Sequence, residues 1–335
     1  MREIAITDIA GAAWGHASDE QGGTGCTVVL TEQGAAAGLD IRGGGPASRE
    51  TALLEPTAAA AAIHGVLLSG GSAFGLGAAD GVLRFLAERS IGVDVGVARV
   101  PLVVQADIFD LDFKSADTRP DAVMAEAACR DAVERVAAGS PLPQGSVGVG
   151  TGATVGKALG PKQATKSGVG HYAVQLGEIQ LGALAVCNAI GDVFDIETGA
   201  RLAGLRDENG APLSSEQVLY QMLAGVAVDR GAGEDAPART TEASPAEPPV
   251  AHTNTTLGIV VTNVALDKTA LTKLAQMAQN GLARTIRPVH TSFDGDAVFA
   301  LSVGTLEAPA MALDALGTLA AFVLGKAINN AVRIA

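Results

Sequence analysis

The segment that most limits how this chain folds lies between residues 231 and 254. It holds four of the chain's 14 prolines, several acidic residues and few large apolar side chains, so we predict a surface linker. Residues 255–262, TTLGIVVT, follow it at once and predict a buried β-strand. A linker of this length is uncommon inside a compact domain, which indicates a functional or processed segment.

Small residues dominate the rest of the chain. Its 42 glycines and 63 alanines make up nearly a third of the 335 residues, and aromatic residues only 3%. Backbone segments are therefore expected to approach one another closely. The hydrophobic share of 48% excludes a mostly disordered chain. The net charge of −13 disfavours nucleic acid or an anionic membrane as the main partner.

Several features favour a cytoplasmic protein. The N-terminal residues lack the basic and apolar regions of a signal peptide. The apolar run 315–325 is too short to span a bilayer and predicts a buried helix. Cys26, Cys129 and Cys187 form no CxxC pair, which is typical of reduced thiols.

Apolar periodicity predicts alternating strands and helices, hence an α/β fold of several layers. The predicted strands are 28–30, 93–97, 181–189, 255–262 and 297–303, and the predicted helices are 58–68, 73–88, 120–138, 268–283 and 309–332.

The glycine-rich segment 145–157, GSVGVGTGATVGK, is not a nucleotide-binding P-loop. That motif requires glycine where this chain has Thr151, and serine or threonine where it has Ala158. Lys157 ends the segment, and burial against close backbone is expected to lower its pKa and help it activate a nucleophile.

Other short motifs in the sequence are weaker evidence for a functional site. Gly70 and Gly71 precede a predicted helix, where exposed N–H groups suit an anion or oxyanion, although a plain tight turn is the simpler interpretation. The histidines are dispersed, and the Asp-x-Asp pairs at 110–112 and 294–296 do not fit a calcium loop. We therefore predict no metal and no cofactor.

The junction of linker and strand suggests a specific chemistry. The Thr255 hydroxyl would attack the Asn254 carbonyl carbon, and an N-to-O acyl shift would give an ester that water hydrolyses. The freed α-amine, with an ordinary pKa of about 7.7–8.0, would then act as a base for its own hydroxyl. A plain domain linker is the alternative.

Several blocks of sequence, spread over most of the chain, carry a resemblance to a known family. They are 68–76 with 80–81, 107–110, 148–157, 182–188 with 191–192, 254–263, and 281–299. In these blocks the chain resembles the P1 family of self-processing hydrolases. That family includes L-aminopeptidase/D-esterases, β-peptidyl aminopeptidases and nylon-oligomer (6-aminohexanoate oligomer) hydrolases.

The resemblance implies a fold and a processing event. The fold is a four-layer α/β/β/α sandwich of the N-terminal-nucleophile-hydrolase type, shared with ornithine acetyltransferases. Residues 1–335 would form one domain, cut between Asn254 and Thr255 into an α chain, 1–254, and a β chain, 255–335. Homo-oligomers of such αβ units are expected.

The resemblance also implies roles for individual residues. Thr255 would be the nucleophile, and Lys157 would lower its pKa or accept its proton. Asn188 matches the asparagine that stabilises the oxyanion, while Asp294 and Asp296 match the pair that orients the N-terminal amine.

Two further positions bear on the substrate. Asp107 falls where aminopeptidase members have a glutamate that receives the substrate's free amine. Phe109 replaces a tyrosine of the nylon hydrolases. The expected substrates are short peptides and amides of α-, β- or D-amino acids, and nylon-type oligomers are the alternative. Acyl transfer like that of ornithine acetyltransferase, or a binding protein without catalysis, is more distant.

Overall fold

Two β-sheets joined by one long strand, with helices on both outer faces, make up the fold. The computed structural model describes residues 1–231, 254–307 and 312–335. The strands are β1 (Arg2–Ile4), β2 (Ala13–Asp19), β3 (Thr24–Ile41), β4 (Ala47–Arg49), β5 (Ile63–Ser69), β6 (Val93–Asp94), β7 (Arg99–Val100), β8 (Val103–Asp107), β9 (Thr154–Val155), β10 (Thr165–Lys166), β11 (Val169–Leu176), β12 (Ile179–Asn188), β13 (Asp192–Phe194), β14 (Arg201–Ala203), β15 (Thr255–Val264), β16 (Ile286–Arg287) and β17 (Ala297–Leu306). The helices are α1 (Ala79–Glu88), α2 (Ala122–Ala138), α3 (Ser215–Gly231), α4 (Lys268–Thr285) and α5 (Ala312–Arg333).

Strand β3 belongs to both sheets. Its second half pairs with β17 in the first sheet, whose order is β1-β11-β12-β15-β17-β3. Its first half pairs with β2 and β5 in the second sheet, which continues through β8 to β4. The register shifts between Leu30 and Ala35, around Gly34 with a φ of 81°. The chain passes from one sheet to the other at this point, because glycine adopts positive φ without steric cost.

Three buried clusters separate the four layers. The middle cluster joins the facing sides of the sheets, with Leu184 and Leu257 from the first and Val66 and Val104 from the second. A second cluster joins the outer side of the first sheet to α4 and α5, and a third joins the outer side of the second sheet to α1 and α2. The α/β/β/α prediction is therefore confirmed.

Alternation along the strands decides which residues face the middle layer. In β15, Leu257 and Ile259 belong to the middle cluster, whereas Val260 belongs to the helix-facing one. Because successive side chains point to opposite faces, Thr255 also points between the sheets.

Most predicted elements are present, and one is wrong. Residues 58–68 are not helical: β5 begins at Ile63, and the alanines before it are outside any helix. The helix preference of alanine is a weak term, and β5 is fully buried between β3 and β8, so pairing in the sheet outweighs it. The predicted strand 93–97 shortens to Val93–Asp94.

The remaining expectations about the chain have clear outcomes. The three cysteines are free and buried, as predicted. Helix α5 contains the apolar run 315–325. The helix is long and apolar enough by composition to cross a membrane, but 61% of its apolar 18-residue stretch is buried within the fold. Of the predicted linker, Gly231 ends α3 and Asn254 forms a β-bridge with Asp294. Residues 232–253 lie outside the described ranges.

Candidate active site

The candidate site lies between the two sheets, where β12 ends and β15 begins. Asn188 ends β12 and pairs directly with Thr255, the first residue of β15. Both residues are buried and, by strand alternation, share the inner face. The fold thus brings together two residues that are 67 positions apart in the sequence.

Two donors converge on the carbonyl oxygen of Asn254. The Thr255 hydroxyl donates to it at 2.5 Å, and the Gly295 backbone N–H donates to it at 2.9 Å. A Cβ atom on residue 295 would lie 2.6 Å from Thr255 Oγ1, so glycine is needed for this approach. The Thr255 hydroxyl is therefore beside the carbonyl, and a fixed backbone donor polarises that carbonyl, as a donor in an oxyanion hole does.

Asp294 lies against the same junction. Its Oδ2 accepts hydrogen bonds from the backbone and the hydroxyl of Thr291. Its Oδ1 is buried and has no hydrogen bond of good geometry among the described residues, and the Ile190 backbone N–H lies near the carboxylate. Burial, reinforced by the nearby Asp296 carboxylate, raises the pKa of Asp294 to about 7. A buried carboxylate with an oxygen still able to accept, close to Thr255, is well placed to receive an ammonium group.

Asp296 fixes the start of β15. Its Oδ1 accepts from the Thr256 backbone N–H at 2.7 Å. Its Oδ2 accepts from the backbone N–H of His290 and lies 3.0 Å from that residue's Nδ1. Asp296 therefore positions the backbone beside Thr255.

Lys157 and Asn188 form a buried pair. Lys157 Nζ donates to Asn188 Oδ1 at 2.8 Å, and the Thr154 backbone N–H donates to the same oxygen at 3.1 Å. The Asn188 amide nitrogen donates to the Phe109 carbonyl at 2.7 Å. It carries a second hydrogen that can be directed at an oxyanion. These contacts fix the orientation of the Asn188 amide.

Burial lowers the pKa of Lys157 to about 8, while the Asp112 and Asp294 carboxylates oppose the shift. The side chain is only 2% exposed. The expectation that close packing lowers this pKa is confirmed, and Lys157 can accept a proton near neutral pH.

The predicted role of Asp107 is wrong on this geometry. In β8, Val104 and Ala106 face the middle layer, whereas Val103 faces α1 and α2. Alternation places Asp107 with Val103, on the opposite side of the second sheet from Thr255. Its Oδ1 accepts from Ser69 Oγ and Gln105 Nε2. It is 1% exposed and cannot meet a substrate amine there.

The expectation of exposed N–H groups at Gly70 and Gly71 is also wrong. Gly70 donates to the Gly25 carbonyl, and Gly71 donates to Asp110 Oδ1 at 2.7 Å. Both glycines are buried in a tight turn that holds the second sheet together. Phe109 contacts the site through its backbone carbonyl, which accepts the Asn188 amide hydrogen.

Sequence reasoning missed two parts of the site. Gly295 lies between two aspartates that were singled out, but only the fold shows its N–H on the Asn254 carbonyl. Thr154 sits in the glycine-rich segment, and its backbone contact with Asn188 has no sequence signature. Within the described ranges, no group of three or more His, Cys, Asp or Glu residues could hold a metal ion.

Comparisons with known proteins agree with this geometry. The profile of peptidase family S58 matches residues 5–335. An uncharacterized aminopeptidase of Mycobacterium leprae is 40% identical over 320 residues, covering 92% of this chain and 80% of the relative. A 6-aminohexanoate-oligomer endohydrolase of an Agromyces species is 29% identical over 309 residues, covering 92% and 77%.

Solved structures support the fold. The L-aminopeptidase D-Ala-esterase/amidase of Ochrobactrum anthropi, described as a variant of the Ntn hydrolase fold, superimposes with a TM-score of 0.67 at 16% identity, covering 98% of this chain and 85% of that one. A β-aminopeptidase of a Burkholderia species gives 0.63 at 19% identity, covering 98% and 85%. The chain has this fold, belongs to peptidase family S58 and is a hydrolase of peptide or amide bonds.

Proposed function

We propose that the chain cleaves itself between Asn254 and Thr255, and that Thr255 then acts as the N-terminal nucleophile of an aminopeptidase or amidase. The observation that supports this most directly is the paired contact on the Asn254 carbonyl. The attacking hydroxyl and the Gly295 N–H reach that one oxygen from fixed positions.

Self-cleavage proceeds in two steps. Thr255 Oγ1 attacks the Asn254 carbonyl carbon while Lys157, in its neutral form, takes the hydroxyl proton. The Gly295 N–H stabilises the negative oxygen. The C–N bond then breaks as Lys157 gives this proton to the Thr255 nitrogen, which becomes an amine, and an ester joins Asn254 to Thr255 Oγ1. Water hydrolyses that ester and leaves a carboxylate on Asn254.

Turnover of substrate repeats this chemistry at a new carbonyl. The free α-amine of Thr255 and Lys157 act as bases for the hydroxyl. The unpaired Oδ1 of Asp294 accepts a hydrogen bond from that α-amine and orients it. The Asn188 amide nitrogen joins the Gly295 N–H in stabilising the oxyanion, and water then hydrolyses the acyl-enzyme.

The substrates we favour are short peptides and amino-acid amides, including β- and D-amino acid types. The relative at 40% identity is named an aminopeptidase, and the structural neighbours are aminopeptidases. Oligomers of 6-aminohexanoate are the second candidate, because relatives at 29% identity hydrolyse them. Since Asp107 faces away from Thr255, it does not argue for a free amine on the substrate.

Denaturing gels and intact mass of the wild-type chain test the proposal. Fragments of about 25 and 8 kDa are expected, because residues 1–254 and 255–335 divide the 33.5 kDa chain in that proportion. Thr255→Ala should leave one band and no activity on p-nitroanilides of α-L-, β- and D-amino acids or 6-aminohexanoate.

Thr256→Val is the matched control. Thr256 is the next residue of β15 and pairs with Cys187 on the helix-facing side. This variant should still be cut and active. An uncut wild-type chain with full activity, or an active Thr255→Ala chain, would overturn the proposal.

A further inference from the structure

A second lysine, which is half-buried, holds the glycine-rich segment in place. Lys166 Nζ donates to the backbone carbonyls of Gly150 at 3.0 Å and Ala153 at 3.1 Å, and also to that of Ser167. An ammonium group has three hydrogens, so three carbonyls can satisfy it fully. A cation that is largely removed from water needs such partners, because burying it otherwise costs free energy.

Two of the carbonyls that Lys166 binds, those of Gly150 and Ala153, come just before Thr154 in the chain. Lys166 is also the antiparallel partner of Thr154 in the β9–β10 pair. The Thr154 backbone N–H donates to Asn188 Oδ1, the oxygen that also accepts from Lys157 Nζ. The Lys166 ammonium group is therefore linked, through the short strand β9, to the side chains of Asn188 and Lys157.

The glycines of the segment leave no room for side chains of their own. A Cβ atom on Gly150 would lie 2.3 Å from the Val169 nitrogen, and one on Gly152 would lie 2.4 Å from the Gly23 carbonyl oxygen. The backbone here is packed against neighbouring backbone. The Gly150 carbonyl also accepts from the Ala153 N–H at 3.3 Å, and the Ala153 carbonyl from the Ser167 N–H at 3.0 Å, so a further donor to each must reach in from a side chain elsewhere. Lys166 supplies that donor from β10.

We propose that Lys166 is a positioning residue, which holds Asn188 and Lys157 in their catalytic geometry by fixing the backbone at Thr154. This inference rests on the proposed function, since it concerns the same site. Lys166 does not touch the reacting atoms. Displacement of catalytic groups by about 1 Å costs on the order of 100-fold in rate, and that is the effect we expect from its loss.

The first test compares Lys166→Met with Lys162→Met. Lys162 is an exposed lysine in the short turn that precedes β10, so it controls for loss of a positive charge. Lys166→Met should lower kcat per titrated active site about 100-fold and change KM by less than about threefold. Lys162→Met should leave both constants unchanged.

The second test asks whether Lys166 acts through Asn188. In a double-mutant cycle, Lys166→Met combined with Asn188→Ala should be no slower than Asn188→Ala alone. The hydrogen bonds from Thr154 reach both Asn188 and Lys157 through Asn188 Oδ1, so that link is already lost in Asn188→Ala. Losses that multiply would show a general structural role and overturn the proposal, as would an unchanged kcat in Lys166→Met.

If Lys166→Met does not fold, Lys166→Gln keeps one amide donor and enters the same cycle. If processing stops, the rate of self-cleavage replaces kcat as the readout. Thr255→Ala, assayed alongside, separates the two hypotheses. Activity in that variant overturns the proposed nucleophile, whereas independence of Lys166 and Asn188 overturns only the positioning role.

Discussion

Two buried aspartates are alike in burial and in bonding but lie in different places: Asp107 ends β8, and Asp294 lies in the loop before β17. Each is 1% exposed. Each has one carboxylate oxygen bound to donors and the other without a hydrogen-bond partner among the described residues. Burial raises the pKa of both carboxyls.

Their surroundings separate them. Asp294 forms a β-bridge with Asn254, whose carbonyl is the proposed cleavage site. Asp107 lies on the helix-facing side of the second sheet, against Ser69 and Gln105. A shifted pKa and an unpaired oxygen therefore do not identify a catalytic acid by themselves. The position of the side chain relative to the nucleophile decides its role.

The largest difference between the two aspartates should appear in turnover. Asp294→Asn is expected to lower kcat/KM on the order of 100- to 1,000-fold, because the Thr255 α-amine loses its ionic acceptor. Asp107→Asn should stay within about threefold of wild type per folded molecule.

Free-amine and N-acetylated p-nitroanilides provide the measurement. Their ratio of kcat/KM should be the same in Asp107→Asn as in the wild type. A selective loss of the free-amine substrate in Asp107→Asn would restore the role that the family resemblance gave it.

Two glycines, one beside each aspartate, allow the same comparison, with a smaller expected effect. A Cβ on Gly295 would meet Thr255 Oγ1 at 2.6 Å, and one on Gly75 would meet Asp107 Oδ2 at 2.8 Å and the Gly70 carbonyl at 2.0 Å. Gly295→Ala should slow self-cleavage about 100-fold by displacing the nucleophile and its oxyanion donor.

Gly75→Ala should instead destabilise the fold by about 1–3 kcal/mol through overpacking, with self-cleavage at the normal rate in the folded fraction. Gel time courses and denaturant titrations measure the two effects. Normal cleavage in Gly295→Ala would remove the Gly295 N–H from the mechanism.

The smallest effect concerns stability and pH, and here the two aspartates should behave alike. A carboxyl whose pKa is raised by folding favours the folded state when protonated. That contribution is complete below its unfolded pKa of 3.8, and for Asp294 it is lost as the pH rises through about 7.

In an uncleaved Thr255→Ala background, Asp294→Asn and Asp107→Asn should each raise the melting temperature by a few degrees at pH 8 and leave it unchanged near pH 3. Thermal unfolding over this pH range is the measurement. A lower melting temperature at pH 8 would mean that the ionised carboxylate stabilises the fold.

Local pattern predicted the elements that carry the chemistry. The apolar run after the linker predicted β15, and the glycines before Lys157 predicted a buried lysine of lowered pKa. These predictions succeed because strand burial and desolvation depend on nearby sequence.

Other features depend on contacts far along the chain. The orientation of Asp107 follows from where β8 lies in the second sheet, and the Gly295 contact follows from the bridge between Asn254 and Asp294. The alanines before β5 favour a helix locally, and only the neighbouring strands make that segment a strand. The sequence around each of these residues does not predict such long-range contacts.

The strand order has a consequence for the cut molecule. Strands β15 and β17 lie side by side in the first sheet, with β12 on one flank and β3 on the other. Both flanking strands come from residues before the proposed scissile bond. Hydrolysis would therefore create a new N-terminus at Thr255 without creating a new edge strand in the sheet. To separate the two products, the β12–β15 and β17–β3 hydrogen bonds would have to break together. The apolar layers on both faces of the first sheet would also have to come apart. The two chains of the cleaved protein are therefore expected to stay associated under native conditions, through strand pairing and core packing, although no peptide bond joins them.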